Sequence, residues 1–279
     1  MNAEPQAVAM ESVAYDKQIS EIAEHADKLR AATPSKTIGN VTIYSEMVQG
    51  SEEWSAARCG LLTASEMKLI VTPTLKAASN DKERGHLYEL LAQRITRYVE
   101  PRYVTDDMLR GQNDEVDALE LYAKQYEPIQ RVGFITNDKF GFTIGYSPDA
   151  LVGDDGQVEC KSRSQKLQIR TLTEYVFANE IDPDFMIQVQ TGLMVSERAW
   201  CDLVSYCGGL PMATVRVFPN QEIQDAILAA ATSFEARLLE KQRKFDALMA
   251  GSKARLIPTE RKIIQEMYDG HDADYSTQI

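Results

Sequence analysis

One stretch organises this chain and predicts its central hairpin: Gly145-Tyr-Ser-Pro-Asp149-Ala-Leu-Val-Gly-Asp-Asp-Gly-Gln-Val-Glu159-Cys-Lys161-Ser-Arg163. Two β-prone runs, at residues 142–144 and 158–160, lie on either side of the turn-forming residues 153–156. Side chains alternate between the two faces of a strand, so we expect Glu159 and Lys161 to point to the same side. Asp149 lies in or beside the opposite strand, directly after Pro148, which is typical of an irregular or edge position. The stretch therefore predicts two carboxylates and an ammonium group at one small site.

Such a site is suited to phosphate chemistry. Mg²⁺ takes oxygen ligands and is often held by one or two carboxylates together with substrate phosphates. A neighbouring lysine can orient a water molecule or take a proton from it. The pattern Asp-x9-Glu-x-Lys is short, however, and taken alone it is more typical of a solvated hairpin with a surface pair between Glu159 and Lys161. Other parts of the sequence are needed to distinguish a metal-binding site from a solvated hairpin.

Composition restricts the class of protein. The chain has 279 residues, of which 44% are hydrophobic, and this is typical of one globular domain with extensions. No apolar run approaches the ~20 residues that a membrane span needs, and the N-terminus lacks the pattern of a signal peptide. The four cysteines form no CxxC pair, so we expect neither a zinc or iron–sulfur site nor a disulfide framework. The composition predicts a cytoplasmic protein that does not contact membranes.

Charge is unevenly distributed along the chain. The net charge of −12 argues against a general nucleic-acid coat, because phosphate binding needs local Lys and Arg. Residues 106–120 nevertheless hold six acids and one base, whereas residues 157–172 hold one acid and four bases, which are Lys161, Arg163, Lys166 and Arg170. We expect such segregation at a site that binds both metal and phosphate, although a solvated surface can show it too.

The pattern of segments predicts three parts: a partly helical N-terminal extension over residues 1–44, a main domain over residues 45–250, and a polar tail over residues 251–279 with a helical turn near residues 260–268. Hydrophobic periodicity predicts helices over residues 80–99, 106–126, 183–196 and 221–249. Strands are predicted over residues 130–135, 140–146, 158–162, 200–207 and 213–218.

A candidate anion site precedes the first long helix. Thr63-Ala-Ser-Glu66 has the capping-box pattern and predicts the start of a helix that runs toward Pro73. Free backbone N–H groups and the hydroxyls of Thr63 and Ser65 would bind an anion there, with Arg58 nearby in the sequence. Ordinary helix capping beside a surface arginine explains the same residues.

Polar side chains also occur on helix faces that we expect to be buried. Glu115 precedes Leu119 by four residues and Tyr122 by seven, so it shares their core-facing stripe. A buried carboxylate needs an arginine partner or a metal ion, and both remain open. Gln188 and Gln190 lie in a helix that is apolar almost all round, where their amides need partners.

Taken together, these segments resemble the phage lambda exonuclease family, the YqaJ-type viral recombinases within the PD-(D/E)xK nucleases. The matching pieces occur in the family's order, and they are Trp54-x3-Arg58-x-Gly60 followed by Thr63-Ala-Ser-Glu66, then Gly111-x3-Glu115, Ser147-Pro-Asp149-Ala-Leu, Glu159-Cys-Lys161 and Gln188-Val-Gln190. The resemblance covers roughly residues 45–250. Two features depart from it: Ser162-Arg163 replaces the Cys-Pro that can follow the lysine, and the two terminal regions have no counterpart.

The resemblance implies an α/β fold with a PD-(D/E)xK restriction-endonuclease-like core, in which helices flank a central mixed β-sheet. It implies two Mg²⁺ ions per active site, with Mn²⁺ as a substitute, and their ligands would be Asp149, Glu159, Glu115 and the carbonyl of Cys160. Lys161 would position or activate the attacking water, and Gln188 would support the site. The residues that would bind a terminal 5′-phosphate are Arg58, Ser65 and Thr63.

The implied activity is that of a metal-dependent, ATP-independent exonuclease. It would digest linear double-stranded DNA from 5′ to 3′ and leave 3′ single strands for annealing recombination. The resemblance also implies a homotrimeric ring and a phage single-strand annealing protein as partner. The alternatives are a site- or structure-selective endonuclease of the same fold, a non-catalytic DNA-end-binding protein, and an acidic interaction protein. The intact set of Asp149, Glu159 and Lys161 argues against the end-binding protein, and an interaction protein would leave Glu115, Gln188 and Gln190 unexplained.

Overall fold

The structure, a computed structural model of the chain, describes residues 24, 28–29, 32–101, 105–251, 254–259 and 261. Most of the predicted N-terminal helix and nearly all of the helical turn near residues 260–268 lie outside these residues.

Two mixed sheets, each of five strands, form the centre of the described part of the chain. The first contains, in spatial order, β1 (Lys36–Ile38), β2 (Val41–Tyr44), β5 (Phe134–Asn137), β6 (Ile144–Tyr146) and β3 (Leu62–Thr63). The second contains β10 (Ala213–Val217), β9 (Trp200–Tyr206), β8 (Gly156–Ser162), β7 (Ala150–Val152) and β4 (Ile129–Gln130). The pairs β3–β6 and β8–β9 are parallel, and the other neighbours are antiparallel.

The predicted α/β class is confirmed, and the expected central sheet is divided into these two sheets. The division falls between β6 and β7, where Ser147-Pro148-Asp149 leads the chain from one sheet to the other. Proline has no backbone N–H and cannot continue a ladder of hydrogen bonds, so the chain leaves the first sheet at this point. The first sheet also begins before residue 45, inside the predicted N-terminal extension, because β1 pairs with β2 and β2 pairs with β5.

Six α-helices have both ends within the described residues: α1 (Glu52–Arg58), α2 (Asp81–Thr96), α3 (Asp106–Gln125), α4 (Gln165–Arg170), α5 (Pro183–Ser196) and α6 (Gln221–Ala250). Five of them begin at a polar side chain that accepts a backbone N–H of the first turn, and these caps are Ser51, Asn80, Thr105, Asp182 and Asn220. The helices predicted over residues 80–99, 106–126, 183–196 and 221–249 are confirmed to within a few residues at each end.

The helices cover the sheets with their apolar faces. Helix α3 places Ala118, Leu119 and Tyr122 against Val158 and Val204 of the second sheet. Helix α5 contacts β5 and β6 of the first sheet and β9 of the second, so it lies where the two sheets meet. Helices α2 and α6 pack on each other and extend the main core. Among the described residues, no helix is both long and apolar enough to cross a membrane.

Candidate active site

The hairpin that carries the central motif differs from the predicted one. Strand β8 pairs with β7 across the turn at residues 153–155, whereas Ile144 belongs to β6 in the other sheet. Asp149 is the last residue before β7, and its Oδ2 accepts a hydrogen bond of 2.5 Å from the backbone N–H of Cys160. Residues 147–149, which lead from the first sheet to the second, therefore place Asp149 beside β8. The strand predicted over residues 142–144, however, is not the strand that pairs with β8.

Glu159 and Lys161 lie on the same side of β8, as the alternation of strand side chains predicts. The Lys161 ammonium donates to Glu159 Oε1 at 2.7 Å and to Gln188 Oε1 at 3.1 Å. The Gln188 amide donates back to Glu159 Oε1, so the three side chains form a closed triangle. Only 4% of the Glu159 side chain and 18% of the Lys161 side chain are exposed, which excludes the solvated surface pair.

Two aromatic side chains border this triangle. The Tyr146 hydroxyl donates to Glu159 Oε2 at 3.1 Å, and Tyr146 itself is buried. The Lys161 ammonium lies 5.2 Å from the ring centroid of Phe185, within the range of a cation–π contact. Every polar atom of the Glu159 and Lys161 pair therefore has a partner, which comes from α5 for Oε1 and the ammonium and from β6 for Oε2.

Glu115 lies at the edge of this group, on α3. Its carboxylate accepts a hydrogen bond from Arg131 at 3.2 Å, and 32% of its side chain is exposed. Burial raises the pKa of Glu115, Arg131 opposes that shift, and the negative charge of Glu159 adds to it. Of the two roles that the sequence left open, the arginine pair is the one that the structure shows.

The carboxylates of the site repel one another. Burial, and then the charges of Glu159 and Glu115, hold the pKa of Asp149 well above its ordinary range. Burial lowers the pKa of Lys161, but Glu159 and Asp149 more than offset this, so its pKa lies above the ordinary lysine value. The site therefore attracts positive charge beyond that of its own lysine.

The available donor atoms determine which kind of metal ion these residues could hold. Within the described part of the chain, no three His, Cys, Asp or Glu side chains are arranged to hold a metal ion. Asp149 nevertheless accepts the backbone N–H of Cys160, the residue after Glu159, so the two carboxylates meet at the same point of β8. Mg²⁺ needs only one or two carboxylates when substrate phosphates complete its shell. These residues fit a hard cation that binds together with a phosphate, and they do not fit a preformed cage made of protein ligands alone.

A second polar cluster forms around Arg58. The guanidinium donates to Thr63 Oγ1 at 3.2 Å and to Ser147 Oγ at 3.5 Å, and it lies 4.3 Å from the Trp54 ring centroid. The Trp54 indole N–H also donates to Ser147 Oγ, at 2.9 Å. Thr63 Oγ1 lies 3.5 Å from Ser65 Oγ, so all three residues predicted to bind a phosphate are in one place.

The prediction that a helix starts at Thr63 is wrong. Leu62 and Thr63 form β3, which pairs in parallel with Ile144 and Gly145, and the Ala64 N–H donates to the Gly145 carbonyl at 2.9 Å. This pairing keeps the backbone extended, and only a 3₁₀ turn at Met67–Leu69 follows, without a side-chain cap. The Thr63 hydroxyl donates to Glu66 at 2.7 Å instead. The cluster therefore lacks a helix dipole, and its positive charge comes from Arg58.

Sequence reasoning missed Ser147 and Tyr146, which precede Asp149 in the same segment. Ser147 joins the two clusters, because it contacts Arg58 and lies two residues before Asp149. The Ser-Pro-Asp spacing was the available signal for Ser147. Tyr146 gave no signal of its own, since an aromatic residue in a strand normally indicates the core.

Gln190 points away from the site. Its amide donates to the Phe218 carbonyl at 2.8 Å, and its oxygen accepts from the Asn220 N–H at 2.8 Å. Gln190 thereby fastens the start of α6 and has a structural role.

The basic residues of 157–172 are largely engaged within the protein. Arg163 and Arg170 both donate to Asp182 Oδ2, at 2.8 and 2.7 Å, and Lys161 is paired with Glu159. Arg163 belongs to the Ser-Arg pair that departs from the family pattern, and it connects β8 to the cap of α5. The charges of Lys161, Arg163 and Arg170 are therefore paired with acids of the protein itself, and they stabilise the site from within.

Comparison with known proteins gives consistent results. Residues 53–199, more than half of the chain, match the family model of the YqaJ-like viral recombinase domain. Two crystal structures of LHK-Exo, an alkaline exonuclease from Laribacter hongkongensis, are similar to this chain: one has 29% sequence identity and a TM-score of 0.58, and the other, in complex with dAMP, has 31% identity and a TM-score of 0.59. Both comparisons cover 71% of this chain and 100% of LHK-Exo. A comparison with curated protein sequences gave no match.

Proposed function

Because this chain belongs to the YqaJ-like viral recombinase family, we propose that it is an exonuclease that digests linear double-stranded DNA from its 5′ ends. The observation that carries the proposal is the part-buried triangle of Glu159, Lys161 and Gln188, with Asp149 held beside it on β8. The similar LHK-Exo is described as an alkaline exonuclease and binds dAMP. Both facts favour a nuclease over a non-catalytic DNA-end-binding protein.

We propose Mg²⁺ as the cofactor, with Mn²⁺ as a substitute and two ions per active site. The ligands would be Asp149, Glu159, Glu115 and the carbonyl of Cys160. When bound, the ions would neutralise charge on the scissile phosphate and lower the pKa of the attacking water. For Glu115 to take part, the phosphate or the metal has to compete with Arg131, which holds its carboxylate at 3.2 Å.

Lys161 would position the attacking water. Its ammonium has three N–H donors, and Glu159 and Gln188 accept two of them. The third is available for a water molecule or a phosphate oxygen. Gln188 fixes this geometry, because its amide oxygen accepts from Lys161 while its nitrogen donates to Glu159. The lysine is thus oriented before substrate arrives, which lowers the entropic cost of reaching the reactive arrangement.

The Arg58 cluster would hold the terminal 5′-phosphate. Ser147 Oγ accepts hydrogen bonds from Trp54 and Arg58, so its own proton is available for a phosphate oxygen. The guanidinium can bind two oxygens of a terminal phosphate, which carries more charge than an internal diester. Glu66 lies 3.9 Å from Arg58 and is a weaker partner than a directly bound phosphate would be. Ser147 links this cluster to Asp149, so anchoring the end would place a nearby phosphodiester at the site.

The family also supports a homotrimeric ring, ATP-independent digestion, and delivery of the 3′ single strand to an annealing protein. These parts of the proposal rest on the family relationship and on no contact described above.

The direct test is digestion of a linear duplex labelled separately at each end, with and without Mg²⁺. We expect Mg²⁺-dependent loss of the 5′-labelled strand, little cutting of a closed circle, and a 3′ single-stranded product. Cutting of the circle would favour an endonuclease of the same fold. Binding of ends without cleavage in either Mg²⁺ or Mn²⁺ would favour an end-binding protein.

A further inference from the structure

Both oxygens of the Glu159 carboxylate are held, and by different parts of the fold. Lys161 and Gln188 donate to Oε1, whereas Oε2 accepts from the Tyr146 hydroxyl at 3.1 Å. The terminal torsion of a glutamate has broad, shallow preferences, so the side chain alone does not fix the plane of its carboxylate. A donor on each oxygen does fix it. Among the described residues, Tyr146 is the partner that the structure shows for Oε2.

The Tyr146 ring is held in place by helix α5. Tyr146 is 1% exposed, and a Cβ added at Gly192 would lie 2.7 Å from the ring carbon that bears the hydroxyl. Only glycine leaves room for the ring at this distance. Gly192 follows Gln188 by four residues, so the two lie on one face of the helix. The same helix face therefore supplies the donor to Oε1 and makes room for the donor to Oε2.

We infer that Tyr146 is a positioning residue, which sets the Glu159 carboxylate in the orientation needed to bind the divalent metal. The inference rests on the proposed function, since it takes Glu159 as a metal ligand. Tyr146 comes from the first sheet and Glu159 from the second, so their hydrogen bond also aligns the two sheets at the site. A hydroxyl that uses one lone pair of Oε2 leaves the other for a cation.

The expected effect is on metal affinity. Removing a group that orients a metal ligand typically costs 10–100-fold in affinity or activity. Tyr146→Phe deletes only the hydroxyl and keeps the ring that packs on Gly192. We therefore expect the concentration of Mg²⁺ at half-maximal cleavage to rise about tenfold or more, while the rate at saturating Mg²⁺ stays within a few-fold of wild type.

A second readout does not depend on activity. Mn²⁺ is titrated calorimetrically into the protein in saturating dAMP, which supplies a phosphate and cannot be digested. We expect Mn²⁺ to bind Tyr146→Phe about tenfold more weakly than wild type. Gly192→Ala, which displaces the ring but keeps the hydroxyl, should weaken binding in the same direction. The double variant should be no weaker than the worse single variant, because both changes break one contact.

Tyr122→Phe is the matched control. Tyr122 is also fully buried, and its hydroxyl donates to a carboxylate, Asp202, at 2.6 Å. If Tyr146 served stability alone, the two phenylalanine variants would show similar melting temperatures and unchanged metal affinity. That result, with normal Mn²⁺ binding by wild type, would overturn the inference and leave the proposed function intact. Failure of wild type to bind Mn²⁺ or to cleave DNA in Mg²⁺ would overturn the proposed function, and the inference with it.

Discussion

The Asp149 carboxylate accepts the backbone N–H of Cys160 at 2.5 Å, and this one contact connects the segment that switches sheets to strand β8. Cys160 stands between Glu159 and Lys161, whose side chains face the site. The hydrogen bond thus places a carboxylate from the segment between the two sheets beside a carboxylate and an ammonium of the second sheet. The chemistry proposed here depends on that junction between the sheets.

Lys161→Met should reduce cleavage by at least ~10²-fold, the scale of a group that acts on the attacking water. It also removes the cation from three nearby carboxylates, so we expect a loss of ~1–3 kcal/mol in the free energy of unfolding. Single-turnover cleavage and urea denaturation measure the two effects. Lys166→Met is the control, because Lys166 is exposed on α4. Near-normal cleavage by Lys161→Met would rule out its proposed role.

Asp149→Asn should abolish cleavage and weaken Mn²⁺ binding in the presence of dAMP. The amide oxygen can still accept the Cys160 N–H, while the loss of one negative charge relieves repulsion with Glu159 and Glu115. The free energy of unfolding without metal should therefore stay equal or rise. Calorimetry and thermal denaturation on the same samples test both parts. Unchanged Mn²⁺ binding in Asp149→Asn and in Glu159→Gln would place the metal elsewhere.

Arg58→Ala should remove the preference for a 5′-phosphate. Wild type should digest a 5′-phosphorylated duplex faster than a 5′-hydroxyl duplex, and the variant should digest both at a similar, lower rate. Arg84→Ala, which removes a charge paired with Asp81 on an exposed part of α2, serves as the control. The phosphate-anchor hypothesis fails if wild type shows no preference, or if Arg58→Ala keeps it.

Asp182→Asn should lower the free energy of unfolding by ~2–4 kcal/mol at pH 7, because the buried Arg163 loses its acid. Asparagine still caps α5. Burial raises the pKa of Asp182, but the Asp184 N–H, Arg170 and Arg163 together bring it below the ordinary value. A carboxyl whose pKa is lower in the folded state than in the unfolded state stabilises the protein at pH values above its unfolded pKa of about 4. This stabilisation is lost as the pH falls through the folded pKa. Urea denaturation from pH 7 to pH 3 should show the difference shrinking, and a difference that grows toward pH 3 would contradict this assignment.

Light scattering at micromolar concentration should return a homotrimer, with three times the chain mass of 31.3 kDa. A closed ring around the duplex would keep an acidic chain on DNA without a large basic surface. A monomer that still digests long duplexes processively would contradict the ring.

Much of the local structure was determined by the sequence itself. Helix α5 begins at Asp182-Pro183 and ends at Ser196 as predicted, because the cap, the proline at the first helical position and the apolar periodicity are all local signals. The shared face of Glu159 and Lys161 likewise follows from the two-residue repeat of a strand. The candidate site residues could be identified from the family motifs, because the order and spacing of these motifs are properties of the sequence alone.

The tertiary structure determined which residues from distant parts of the chain contact one another. Leu62 and Thr63 form a strand rather than a helix because their partners in β6 lie about 80 residues away along the chain, and long-range pairing outweighed the local capping pattern. The contact of Arg58 with Ser147, 89 residues away, is hidden in the same way, and the pairing of Glu115 with Arg131, 16 residues away, depends on how α3 packs against the loop that follows it. The role of Tyr146 was also beyond the sequence, since only the meeting of two sheets under α5 brings its hydroxyl to Glu159. Local patterns specify elements and faces, whereas packing between distant segments specifies the partners of each polar group.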